Sequence, residues 1–115
     1  MAEVTSITDE EFDREVLKAN LPVLVNFTAP WCASCHKLEP IVAELAQNEL
    51  AERVKVIKVS SEAGVQTLQR CGVMALPTLL LFSNGDEIKR WTGFIPKQPL
   101  LQQIDALLEK SQRAR

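Results

Sequence analysis

Val23-Leu24-Val25-Asn26-Phe27, followed after Thr28-Ala29-Pro30 by Trp31-Cys32-Ala33-Ser34-Cys35, is the stretch on which the fold turns. Its first five residues are apolar except at Asn26, the pattern of a central strand covered on both faces. A buried Asn26 then needs internal hydrogen-bond partners. Beyond the two cysteines, Leu38, Ile41, Val42, Leu45 and Ala46 mark one helical face, so a helix is predicted from Cys35 towards Asn48 or Leu50. Pro40 lies inside it and should kink it. Two thiols at a helix entrance meet unpaired N–H groups and the positive end of the helix dipole, which favour thiolate over thiol.

On the amino-terminal side, Val4 to Ile7 reads as a short strand. Thr8-Asp9-Glu10-Glu11 fits a capping box that opens a helix bearing Phe12, Val16 and Leu17, and Asn20-Leu21-Pro22 closes it. On the other side, Val54 to Val59 is a second buried strand with Lys58 near its end. A short helix over 63–71 follows, with Val65 and Leu68 facing inward and Gly72 as a left-handed stop. Thr78 to Phe82 is a strand, and Asn84-Gly85 turns it back into Ile88 to Thr92. Leu100, Leu101, Ile104, Leu107 and Leu108 define a closing helix with Pro99 in its first turn, and Ser111 to Arg115 reads as a frayed basic tail.

The order β-α-β-α-β-α-β-β-α is that of an α/β protein. Right-handed crossovers predict a mostly parallel sheet with helices on both faces and a final antiparallel strand. The functional end should be the carboxyl ends of the central strands, where the dithiol sits.

With 115 residues and no internal repeat, the chain is expected to form one domain over 1–115. A net charge of -2 provides no basic footprint for nucleic acid. The first residues lack a basic, apolar export signal, and no apolar run approaches the ~20 residues of a membrane span. A soluble, cytoplasmic, monomeric protein without membrane attachment is expected. In that reducing setting, three cysteines do not make a structural disulfide scaffold.

Three chemistries share the dithiol spacing. A structural zinc site wants four ligands, and only Cys71 and His36 remain as Cys or His candidates; His36, next to Cys35 on a helix, faces about 100° away. No metal is expected. Cys32-Ala33-Ser34-Cys35-His36 also matches the C-x-x-C-H haem signature, with Met74 as a conceivable axial ligand, but the export signal and a haem crevice are both missing. A redox dithiol in a β-α-β setting fits the context best.

Phe12-Asp13, Val23 to Phe27, Ala29, Trp31-Cys32-x-x-Cys35, Pro40, Lys58, Leu76-Pro77-Thr78, Asn84-Gly85 and Gly93 occur in the order found in thioredoxins, which the chain resembles over nearly its whole length. The resemblance implies the thioredoxin fold, a central mixed sheet flanked by helices on both faces. It implies thiol–disulfide exchange with protein disulfides, Cys32 as exposed nucleophile and Cys35 as buried resolving thiol, maintaining cell redox homeostasis through electron transport. No prosthetic cofactor is implied beyond the Cys32–Cys35 disulfide itself; electrons come from an external reductase or thiol. Trp31 is expected beside the dithiol and Pro77 as a cis-proline whose neighbour Leu76 pairs its main chain with an extended client. Ala75 and Gly93 keep the adjoining surface flat.

The chain also departs from the family. Ala33-Ser34 replaces the usual Gly-Pro, which frees the Ser34 N–H and adds a hydroxyl donor near Cys32 sulfur. A stabilised thiolate favours the dithiol, so a more oxidising protein than an ordinary thioredoxin is expected. Asn26 stands where the family has a buried Asp that helps take the proton from the resolving cysteine. Lys58 thereby loses its expected partner, and slow resolution is predicted. His36 replaces a common lysine and can tune the dithiol. An oxidant or isomerase on the same fold, or a binding and regulatory module with slow turnover, are the alternative functions. Cys71 reads as an inert, half-buried thiol.

Overall fold

A computed structural model describes residues 3–113. Strands β1 (Val4–Ser6), β2 (Val23–Thr28), β3 (Lys55–Ser60), β4 (Thr78–Ser83) and β5 (Asp86–Thr92) form one sheet in the order β1-β3-β2-β4-β5. Helices α1 (Ala33–Gln47), α2 (Val65–Arg70) and α3 (Lys97–Arg113) complete it. β2 is buried at all six positions, as its apolar run predicts.

The sheet is mixed, but less parallel than expected. β1, β3 and β2 run parallel, whereas β4 is antiparallel to β2 and β5 antiparallel to β4. The reason for the correction is where α2 is held: its first residues are hydrogen-bonded to Asp9, just beyond the carboxyl end of β1, so the chain stays at that end of the parallel strands. The chain therefore re-enters the sheet at the end where β3 left it.

The segment after β1 is not the regular α-helix expected. Asp9–Glu11 forms a 3-10 turn and Asp13–Leu17 a wider π-type turn, in which the Lys18 N–H donates to the Asp13 carbonyl five residues back (2.9 Å). Glu11 does reach back as predicted: its carboxylate accepts from the Thr8 N–H (2.9 Å) and hydroxyl (3.1 Å). Phe12 and Val16 are buried.

Alternation along the strands sorts the core into two layers. Leu24, Val56, Leu79 and Leu81 pack with Leu38, Val42 and Leu45 of α1 and Leu100, Ile104 and Leu108 of α3. Val25, Phe27, Ile57, Val59 and Leu80 pack on the opposite face with Ile7, Phe12 and Val16. In α2 the inward position belongs to Thr67, and Val65 is 49% exposed, contrary to its predicted orientation. The cause is Asp9, whose carboxylate accepts from the N–H groups of Gln66 (3.2 Å) and Thr67 (2.8 Å) and from the Thr67 hydroxyl (2.6 Å).

Gly72 has φ +65°, the left-handed stop its position predicts, and Asn84 and Gly85 turn the hairpin at φ 54° and 85°. The expected frayed tail is corrected as far as Arg113, which closes α3; the Ser111 hydroxyl lies 3.0 Å from that of Ser83. Residues 114–115 of that tail lie outside the described residues. Among the described residues, no helix is long and apolar enough to cross a membrane.

Candidate active site

The end of β2 delivers the chain directly to the dithiol. Cys32 is the N-cap of α1, with extended backbone, and its sulfur accepts the N–H of Cys35 (3.2 Å). The first turn of α1 carries no acidic residue, so nothing there opposes negative charge on that sulfur, and the helix dipole favours it. Cys32 and Cys35 are joined as a disulfide. Cys35 is fully buried and Cys32 only 6% exposed. The expected exposed nucleophile is thus nearly covered, because Ala29 and Leu76 pack around the pair, and what exposure the pair retains falls on Cys32.

Of the two donors anticipated at Ser34, the hydroxyl lies 3.6 Å from Cys32 sulfur, while the backbone N–H on that sulfur is the one from Cys35. Ala33 is exposed and Ser34 half-buried. His36 is exposed and points back along the chain, its Nε2–H donating to the Pro30 carbonyl (2.7 Å).

Antiparallel β4 brings a second loop to the same end. Phe27 of β2 faces Thr78 of β4, which faces Thr92 of β5. The residues just outside those ladders, Ala75-Leu76-Pro77 and Gly93, therefore meet beside the dithiol. The Leu76–Pro77 bond is cis, and the Gly93 N–H donates to the Pro77 carbonyl (2.7 Å). Gly93 takes φ +88°, a conformation that disfavours a side chain. Trp31 (74% exposed), Met74 (97%) and Phe94 (46%) present large apolar surfaces around this end.

Beneath α1 the arrangement differs from expectation at two positions. Asn26 is buried, but its Oδ1 has no hydrogen-bond partner among the described residues. Lys58, its register neighbour on β3, does have a carboxylate partner: Glu39 of α1, whose Oε1 is 3.0 Å from Lys58 Nζ. Glu39 Oε2 accepts the hydroxyl of Thr28 (3.0 Å). Burial pushes the Glu39 carboxyl up, but the hydrogen bonds from Lys58 and Thr28 and the Lys58 charge outweigh it and hold the group below its ordinary value. Glu39 was not singled out in the sequence. The signal was its position four residues beyond Cys35, on the same side of the helix.

Cys71 follows α2 and is half-buried, as read from the sequence. Burial pushes its thiol up, opposed by the Arg90 charge. Arg90 also donates to the carbonyls of Cys71 (2.6 Å) and Gly72 (3.1 Å). Among the described residues no group of three or more His, Cys, Asp or Glu side chains could hold a metal ion.

A disulfide at a helix N-terminus, on a mixed sheet flanked by helices, is the arrangement of a thiol–disulfide oxidoreductase. The comparisons narrow the class. The family model for thioredoxin matches residues 3–106. Thioredoxin 1 of Synechococcus elongatus is 36% identical over 105 residues, covering 91% of this chain and 97% of the relative. Thioredoxin of Rickettsia typhi is 39% identical over 102 residues (89% and 96%), and thioredoxin of Haemophilus influenzae 37% over 105 (91% and 97%). The chain belongs to the thioredoxin family.

Proposed function

We propose that the chain acts, as one thioredoxin-like domain over 1–115, on disulfides of client proteins. The Cys32 thiolate attacks one client sulfur, the client S–S bond breaks, and the departing client thiolate takes a proton. Cys35, deprotonated, then attacks Cys32 sulfur; the mixed disulfide breaks, the second client thiol leaves, and the Cys32–Cys35 bond forms. Two electrons pass from the dithiol to the client, so the step needs no prosthetic group, and an external thiol reductant or reductase restores the dithiol.

Trp31, Ala75, Leu76, Pro77 and Gly93 form the client surface, with the Leu76 main chain pairing to an extended segment in the manner of an added strand. The observation that carries this reading is the Cys35 N–H held on Cys32 sulfur at the head of α1, which favours thiolate on the outer cysteine. We place the protein in the cytoplasm as a monomer, in electron transport to protein disulfides, with neither nucleic acid nor membrane as partner.

The test is catalysed reduction of a protein disulfide, run beside client trapping by Cys35→Ser, which cannot resolve its mixed disulfides. Turnover by the parent with covalent clients on the variant supports the reading. Stable noncovalent partners without turnover would instead make the protein a binding module.

A further inference from the structure

Resolution requires that Cys35 lose a proton, and Asn26, an amide, does not accept it. Cys35 sits on the buried side of the first turn of α1, packed with Ala29 and Cys32. Glu39, one turn on, reaches down to the same sheet face, where Thr28 and Lys58 hold its two oxygens. Glu39, His36 and Lys58 line two adjoining clefts. One, of about 220 Å³, extends to Thr28 and Ala29; the other, of about 490 Å³, extends to Asn26. Both volumes admit water. Glu39 thus stands where the cleft reaching the neighbour of Cys35 meets the cleft lined by Asn26.

Resting on the dithiol reading above, we propose that Glu39 accepts the proton of Cys35 through solvent in this cleft, supplying the carboxylate that position 26 lacks. The Cys35 S–H bond breaks, its proton passes to a Glu39 oxygen by way of water, and the resulting thiolate attacks Cys32 sulfur, breaking the mixed disulfide and expelling the client sulfur as thiolate. The proton then leaves to bulk solvent through the open cleft. The charged and titratable groups facing Glu39 are Lys58 from β3 and His36 from its own helix; β2 contributes only neutral Asn26 and Thr28. Lys58 and the Thr28 hydroxyl keep the carboxylate aimed into the cleft rather than along the helix surface.

The test uses the reduced chain mixed rapidly with one equivalent of a chromogenic aromatic disulfide. The first coloured thiolate reports attack by Cys32, the second its displacement by Cys35. In Glu39→Gln, the first release should keep the parental rate, which also verifies the fold. The second should slow about a hundredfold at neutral pH and recover as pH rises and Cys35 ionises unaided. Asn26→Asp added to Glu39→Gln should restore most of the loss. A second release at the parental rate, or one slowed by the same factor at every pH, would overturn the role of Glu39. A parent that gives no first release would overturn the dithiol reading itself, a separate failure.

Discussion

Ser34 is the side chain that addresses Cys32 sulfur. Its hydroxyl, 3.6 Å from Cys32 sulfur, adds a donor where a proline would offer none, and donors to a thiolate stabilise the reduced form. Replacing Ala33-Ser34 by Gly-Pro should make the protein about 30 mV more reducing, measured by equilibration with glutathione; an unchanged potential would remove Ser34 from the account. Asn26→Asp in the parent should hasten resolution at neutral pH, read as the second release in the chromogenic assay. At this scale the sequence showed the dithiol and its unusual neighbours, because adjacent residues share a local frame. It did not show what Asn26 and Lys58 face. The Lys58–Glu39 pair closes over nineteen residues, and only the packing of α1 on the sheet brings it together.

Among the elements, α2 depends on close fit more than on length. A Cβ added at Gly64 meets the Val59 side chain, too close for either to remain in place. Gly64→Ala should therefore destabilise the fold by about 1–3 kcal/mol, seen as a lower urea midpoint. In α3, Ile104 is fully buried against the α1 layer, and Ile104→Ala should cost about 2–5 kcal/mol by the same measurement. Periodicity located both helices and the strands, and Asn84-Gly85 located the hairpin. It misplaced Val65, since hydrophobicity alone does not reveal that a carboxylate from Asp9, 58 residues away, seats Thr67 inward. Nor did it show the direction of β4, which depends on where Asp9 anchors α2 rather than on any pattern within β4.

The whole molecule is fastened by carboxylates that favour their ionised form. Hydrogen bonds from the Thr67 side chain, with those from the Thr67 and Gln66 backbone, lower Asp9 below 3.8. Hydrogen bonds from Lys55 and Arg14 lower Glu15, and those from Lys97 and its own backbone N–H lower Glu49, each below 4.5. Folded-state values below the unfolded ones mean that this stabilisation is complete above the unfolded values and is lost as pH falls through the folded ones. The thermal midpoint should hold on the neutral side of about pH 4.5 and fall progressively in more acid solution. Asp9→Asn should be less stable than the parent at neutral pH, with the gap closing in acid; thermal scans across this range decide it.

The half-buried thiol of Cys71 has a consequence at this same scale. Burial pushes its thiol up from the ordinary value, so it presents less thiolate and is a weaker nucleophile. On the proposed reading, this weights exchange with clients towards the Cys32–Cys35 pair and away from the spare sulfur.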